Sequence, residues 1–106
     1  MSIEKLLAEY AAGLRDFRGI NLVKADLSGQ TLADADFRRA NFSGANLAGA
    51  NLVHANFREA QLNNSCLKQA NMAEANLIGA SVNQGNLSEC VLTYAGMRGT
   101  DLTEAN

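Results

Sequence analysis

The sequence predicts an all-β fold, a four-sided β-helix made of stacked coils and preceded by a short helix. Three observations predict it. A large apolar residue occupies every fifth position from Phe17 to Leu102 without a miss. Within this series, Phe17, Phe37 and Phe57 recur at a spacing of twenty residues. Glycine recurs two places after the large residue, as at Gly44.

The five-residue spacing excludes both regular elements. A helix turns about 100° per residue, so side chains five residues apart lie about 140° apart and form no single buried stripe. In a flat strand the side chains alternate between two faces, so an odd spacing sends successive large residues to opposite faces. What remains is a short extended piece followed by a turn, repeated in one sense.

Each five-residue repeat is predicted to form one side of a coil. In residues 40–44 (ANFSG), the alternation places the alanine and the phenylalanine inward, the asparagine outward, and the serine and glycine at the corner. Glycine tolerates the positive φ that the second central residue of a type II turn requires. A twenty-residue recurrence gives four sides per coil. Residues 15–106 are therefore predicted to form a solenoid of a little over four coils, with rungs about 4.8 Å apart.

Residues 1–14 follow a helical pattern instead. Their apolar residues have helical spacing: Ile3, Leu6, Leu7, Tyr10 and Leu14. Ser2 is the predicted N-cap, Glu4 suits the positive end of the helix dipole, and Gly13 is predicted to end the helix. A helix of three turns is unstable alone and an open coil exposes its core, so we expect the helix to cap the first coil. A membrane-surface helix is disfavoured because the segment has few basic residues.

The repeats resemble those of the pentapeptide-repeat proteins. Residues 40–54 read ANFSG, ANLAG and ANLVH, and eighteen consecutive large residues keep the register across residues 15–106. The resemblance implies a right-handed quadrilateral β-helix. Residues 3–17 are similar to the start of small cyanobacterial members of the family, which bears only on origin.

The composition indicates one domain in a reducing compartment. The chain has 106 residues and a net charge of −2, which gives no strong case for nucleic acid or an acidic ligand. No secretory segment or long apolar run is present, so a cytoplasmic location without membrane association is expected. Cys66 occupies an outward position and Cys90 an inward one, and they are not twenty residues apart, so no disulfide is predicted.

Arginine recurs on one predicted face. It follows the phenylalanine column, with a gap at Ile78 and one further arginine beside the row: Arg18, Arg38, Arg58, Arg98 and Arg39. Asp16, Asp36 and Glu59 are close enough in the repeat to neutralise part of this charge. The row is interpreted either as a docking strip for a partner bearing carboxylates or phosphates, or as a hydrated face whose arginine stems cover the backbone.

One corner column is the candidate polar cluster. Asp34, His54, Glu74 and Tyr94 are predicted to stack on successive coils, which puts the one histidine about 5 Å from each of two carboxylates. Such a group could orient an acid–base residue or hold a metal. Against this, the column lies on a convex corner that does not exclude water, and no nucleophile accompanies it. A solvated stack of charges is the favoured interpretation.

The outward asparagines are predicted to be structural, bonding to one another and to the backbone. They are Asn41, Asn46, Asn51, Asn56, Asn71, Asn76 and Asn86. No phosphate-binding loop, zinc-binding spacing or cleft with paired carboxylates is found, so no cofactor and no metal are expected.

These patterns predict a non-enzymatic structural or interaction module that presents flat faces to a protein partner. The family resemblance supplies a first alternative, DNA mimicry directed at a type II topoisomerase, but the near-neutral charge and the short solenoid depart from it. An enzyme using His54 is the second alternative. The repeat is still in register at Asn106, and this open end is explained by self-association (the favoured reading), by a fraying coil or by truncation of a longer protein.

Overall fold

The computed structural model describes residues 2–106, which form one helix, α1 (Ile3–Ala11), followed by a solenoid. Its coils pair through isolated parallel bridges, each joining a residue to the one twenty places later. The bridges run from Asp16↔Asp36 to Ser81↔Asp101. This constant offset gives the coil four sides. In the described part of the chain the predicted extended pieces pair only through single-residue bridges, because each side turns after five residues.

Backbone hydrogen bonds tie each coil to its neighbours at three places in a typical repeat. In residues 40–44, the Asn41 N–H donates to Ile20 O (2.9 Å), while the Phe42 and Gly44 N–H groups donate to the next coil, to Gln61 O (2.7 Å) and Asn63 O (2.9 Å). Proline cannot donate such a bond, which explains why the chain contains none.

The corners are type II turns. In the turn of residues 42–45, the Ala45 N–H donates to Phe42 O (2.9 Å) and φ is positive at Gly44 (69°). The same positive φ recurs at every fifth residue from Gly19 to Glu104, and twelve of these corner residues are not glycine. The sequence pattern predicted glycine there. The structure shows that most corners accept a left-handed side chain.

The core is filled by large and small side chains from alternating inward positions. The rings of Phe17, Phe37 and Phe57 stack along one side, with centroids 5.7 and 5.5 Å apart, and Phe42 meets Phe37 edge-on at 4.9 Å. The inward alanines from Ala35 to Ala80 are buried between the large residues. The interior is therefore packed and leaves no channel along the axis.

Helix α1 begins and ends with recognisable caps. The Ser2 side chain accepts a hydrogen bond from the Lys5 N–H (3.1 Å). At the other end Gly13 has φ of 99°, its N–H donates to Tyr10 O, and the Leu14 N–H donates to Glu9 O, which together form a Schellman motif. The prediction that Leu14 belongs to the apolar helix face is wrong: it lies beyond the helix end and is 53% exposed.

Helix α1 packs on the first coil through a few specific contacts. Leu6 is fully buried in the solenoid core. The Tyr10 hydroxyl donates to Ala33 O (2.7 Å), and the Arg15 guanidinium lies 3.7 Å from the centre of the Tyr10 ring while donating to Tyr10 O. Tyr10 thus fixes the helix to the solenoid at both its ring and its hydroxyl.

The two cysteines are free thiols. Cys90 occupies an inward position, and burial raises its pKa to about 11. No helix in residues 2–106 has the length and apolarity needed to cross a membrane.

Candidate functional site: an arginine-lined groove

The arginine face is the side of the solenoid that carries the outward neighbours of the phenylalanine column. It and its adjoining corner line an open groove of about 720 Å³. The lining residues are Asp16, Arg18, Gly19, Arg38, Arg39, Arg58 and Glu59. Because the coils repeat every twenty residues, the predicted row Arg18, Arg38 and Arg58 lies on consecutive rungs here, next to the bridges Asp16↔Asp36 and Asp36↔Asn56.

On the first two coils each arginine is paired within its own repeat. Arg18 donates from Nε and Nη2 to the two oxygens of Asp16 (2.9 Å each), and Arg38 does the same with Asp36 (2.9 and 2.6 Å). Residues two apart on a side point to the same face, which places the partners together. The side-chain hydrogen bond from Arg18, followed by its backbone N–H, lowers the pKa of Asp16 to about 2. The Arg38 side chain likewise lowers the pKa of Asp36.

The corner beside the row holds a third ion pair, this time between coils. Arg39 Nε lies 3.1 Å from Glu59 Oε1, and both residues have positive φ. The two side chains are exposed, so the pair contributes little to stability. Its consequence is geometric, because it holds Arg39 along the groove wall.

Arg58 and Arg98 differ from the other arginines of the row. Asn56 stands where Asp16 and Asp36 stand on earlier coils, and its Oδ1 accepts only the Arg58 backbone N–H (3.1 Å). Gly96 occupies the same place before Arg98. Within residues 2–106 neither guanidinium has an ion pair or a side-chain hydrogen bond. The predicted row did not distinguish these two arginines, although the series Asp, Asp, Asn, Asn and Gly at positions 16, 36, 56, 76 and 96 marks the difference.

The His54 column is brought together in part. His54 Nδ1 lies 3.5 Å from Asp34 Oδ1, and His54 Nε2 is bonded to Glu74 Oε2. Tyr94, the predicted fourth member, is 87% exposed, and its hydroxyl has no hydrogen bond within residues 2–106. The His54 side chain is itself 52% exposed. The cluster is therefore a solvated corner stack with no wall around it.

No metal centre forms in the described part of the chain: among residues 2–106, no group of three His, Cys, Asp or Glu side chains is arranged to hold an ion. The Asp34, His54 and Glu74 side chains of the predicted column are not such a group.

The outward asparagines bond to the backbone but not to one another. In each case Oδ1 accepts a hydrogen bond from the N–H two residues later. Ser43 N–H donates to Asn41 Oδ1 (3.0 Å), and Ile78 N–H donates to Asn76 Oδ1 (2.9 Å). Among residues 2–106, none of the seven asparagines of this column bonds to an asparagine on a neighbouring rung. Their Oδ1 atoms reach the N–H of their own repeat, as in an Asx turn.

Comparison with known proteins agrees with this architecture. The family model for pentapeptide repeats matches residues 16–47, 35–73 and 70–106, with eight copies. No curated protein matches the sequence.

Three solved structures are similar. HetL, a pentapeptide repeat protein involved in heterocyst differentiation regulation from the cyanobacterium Nostoc sp. strain PCC 7120, is 32% identical over 100% of this chain and 49% of its own, with a TM-score of 0.58. A pentapeptide repeat protein of the Arabidopsis thaliana thylakoid lumen is 27% identical over 86% of this chain and 67% of its own, with a TM-score of 0.53. Rfr23, a pentapeptide repeat protein from the cyanobacterium Cyanothece 51142, shares the fold. It is 22% identical over 99% of this chain and 95% of its own, with a TM-score of 0.50.

The chain spans about half the length of HetL. The repeat match extends from residue 16 to residue 106, which is most of the sequence. This protein belongs to the pentapeptide-repeat family.

Proposed function

We propose that this chain is a non-enzymatic interaction module whose arginine face docks an acidic segment of a protein partner. Pentapeptide-repeat proteins are typically non-enzymatic. The observation that carries the proposal is the concentration of charge. Five of the nine basic residues of the chain lie on this face or its corner, and four of them line the open groove.

The rigidity of the frame supports a docking role. The core is packed, and hydrogen bonds from both neighbouring coils hold the backbone around Arg38 and Arg58, whereas Arg18 and Arg98 lie on end coils that are bonded on one side. The arginines of the row therefore stand at a fixed rung spacing. Because the backbone positions are fixed, a partner that bears carboxylates meets guanidinium groups at a regular spacing without any rearrangement of the backbone.

The finer features of the fold are part of this proposal. We take the coils to be right-handed, which the family membership supports. We also take α1 to be a cap that keeps the first coil from pairing with other chains. The burial of Leu6 and the bond from Tyr10 to Ala33 support this role.

Cross-linking capture from the native cell tests the function. The wild type is compared with the double variant Arg38→Gln plus Arg58→Gln, and the captured partner is mapped by cross-linked peptides. We expect cross-links on the arginine face that are lost in this variant. Lys24→Gln plus Lys68→Gln is the matched control, since it removes the same charge from other parts of the solenoid. Equal capture by wild type and both variants would contradict the proposal.

A further inference from the structure

We infer that Arg58, Ile78 and Arg98 form a binding strip for an acidic amphipathic helix that lies along the solenoid axis. Two carboxylates, seven residues apart on the partner helix, would engage the two arginines, and an apolar residue between them would contact Ile78. The inference rests on the proposed function and names the kind of partner that the arginine face takes.

The first two coils show what Arg58 lacks. Arg18 and Arg38 each donate from Nε and Nη2 to a carboxylate, which belongs to Asp16 and Asp36 respectively. On the third coil Asn56 replaces that carboxylate and bonds only the Arg58 backbone N–H. The Nε and Nη2 edge that donates to a carboxylate on two coils therefore has no partner on the third within residues 2–106. Because Arg–carboxylate pairs are commonly bidentate, this edge selects a planar anion.

The strip continues to the next rungs with an apolar centre. The bridge Asn56↔Asn76 and the bridge Asn76↔Gly96 put Arg58, Ile78 and Arg98 on three consecutive rungs. Gly96 has no side chain beside Arg98, and a Cβ at Gly96 would lie 3.7 Å from Ile78 Cδ1 and Cγ1. Ile78 thus lies against the glycine and keeps part of its surface exposed to solvent between the two cations.

The spacing of the rungs favours a helix as the occupant. Two rungs are about 9.6 Å apart, and residues i and i+7 of a helix are about 10.5 Å apart along its axis on the same side. The difference of about 1 Å is within the reach of flexible arginine side chains. An extended strand presents same-side residues at steps of about 6.8 Å, so none of its positions matches two rungs.

Local charge also favours a peptide over a nucleic acid. Asp16 and Glu59 line the groove, Asp36 lies beside it in its pair with Arg38, and all three would repel a continuous polyanion. A helix with carboxylates at only two places avoids them, and its apolar residue gains contact with Ile78. A nucleic acid offers no apolar side chain at this point.

Peptide titration followed by NMR of the full chain tests the inference. The probe is a capped, alanine-rich helical peptide containing Glu-x-x-x-Leu-x-x-Glu, used at low ionic strength. Two control peptides carry Gln for both Glu residues, or place the second Glu on the opposite side of the helix. We expect shift changes centred on Arg58, Ile78 and Arg98, and binding by each control peptide at least about threefold weaker.

Two pairs of variants make the test specific. Asn56→Asp should supply Arg58 with its own carboxylate and weaken peptide binding by about threefold or more, whereas Asn46→Asp adds the same charge on another face and should change little. Arg58→Gln should weaken binding more than Lys68→Gln. Because these residues are exposed or only partly buried, the variants should fold, which their thermal unfolding verifies.

The outcomes separate this inference from the proposed function. Equal binding of the Glu and Gln peptides, equal effects of Asn56→Asp and Asn46→Asp, or tighter binding of a DNA duplex than of the peptide would overturn the helix strip. If the Glu peptide does not bind while partner capture still depends on Arg38 and Arg58, the inference of a helix partner is wrong and the docking function stands. If capture is also independent of the arginines, both fall.

Discussion

Arg38 holds Asp36 through two parallel hydrogen bonds, Nε to Oδ1 at 2.9 Å and Nη2 to Oδ2 at 2.6 Å, and the same pair recurs one coil earlier between Arg18 and Asp16. Both carboxylates have a lowered pKa, about 2 for Asp16. A carboxylate whose pKa is lowered by folding stabilises the folded state above its unfolded pKa. That stabilisation is lost as the pH falls through the folded pKa.

The first prediction is therefore a pH-dependent effect of removing these carboxylates. We expect Asp16→Asn plus Asp36→Asn to lower the thermal midpoint most above pH about 4, with the difference from wild type shrinking towards pH about 2. Circular dichroism melts at several pH values measure this. Glu89→Gln is the control, since Glu89 is exposed and takes part in none of the ion pairs among residues 2–106. A pH-independent difference would contradict the pairing.

The second prediction concerns the aromatic stack. Phe37 is buried and its ring contacts those of Phe17, Phe57 and Phe42. Phe37→Ala should destabilise the chain by about 3–5 kcal/mol, because it removes apolar contacts and leaves a cavity. Phe37→Leu keeps most of the volume and should cost less, about 1–2 kcal/mol. Urea unfolding measures both, and equal losses would contradict the cavity explanation, because they would show that the volume kept by leucine contributes nothing.

The third prediction distinguishes two roles of glycine. Gly49 lies at a corner with φ of 67° and empty space around it. Gly49→Ala should therefore lower the free energy of unfolding by about 1 kcal/mol, because alanine disfavours the left-handed conformation. Gly85 lies at an inward position, where a Cβ would be 2.6 Å from Val82 Cγ1. Gly85→Ala should therefore cost about 1–3 kcal/mol through overpacking.

A double-mutant cycle checks the cause at Gly85. If the clash with Val82 is responsible, Gly85→Ala should cost less in a Val82→Ala background than in wild type. The same background should not change the cost of Gly49→Ala. Additive effects of Gly85→Ala and Val82→Ala would show that the cost has another origin.

The fourth prediction concerns thiol reactivity. Burial raises the pKa of Cys90 to about 11, so only about one thiol in a thousand is ionised at pH 8. Iodoacetamide should alkylate native Cys90 slowly at pH 8 and about tenfold faster per pH unit towards pH 11. Peptide mapping by mass spectrometry measures the rate, with the urea-unfolded chain as the control. Native Cys90 reacting at the unfolded rate would refute the burial.

Much of the architecture could be predicted because the repeat leaves few alternatives. The twenty-residue recurrence of Phe17, Phe37 and Phe57 predicted four sides, and the structure stacks these rings. The same recurrence predicted that His54 would lie between Asp34 and Glu74. Register alone determines such columns, so a single sequence is sufficient to find them.

Features that depend on local competition were not predictable from the period. The asparagines bond to the nearest backbone N–H and not to one another, because Oδ1 reaches that group without leaving its own repeat. The helix end at Gly13 was predicted, but the exposure of Leu14, which has helical spacing and lies just beyond the Schellman motif, was not. The unpaired state of Arg58 depended on one exchange of Asp for Asn. A cytoplasmic location and self-association remain predictions. Microscopy of the labelled protein would test the location, and sedimentation at several concentrations would test the self-association.

The constant offset of twenty residues between bridged positions has a consequence for how this chain can change its length. Loss of a single residue inside the solenoid would exchange inward and outward side chains in every later repeat. Loss of five would preserve the inside but rotate every later column by a quarter turn, so that Arg98 would leave the arginine face. Only a change of twenty residues keeps both the core and the surface pattern. Length and surface chemistry are therefore coupled in this fold: insertions in multiples of five keep the core, and only whole coils also keep the surface columns.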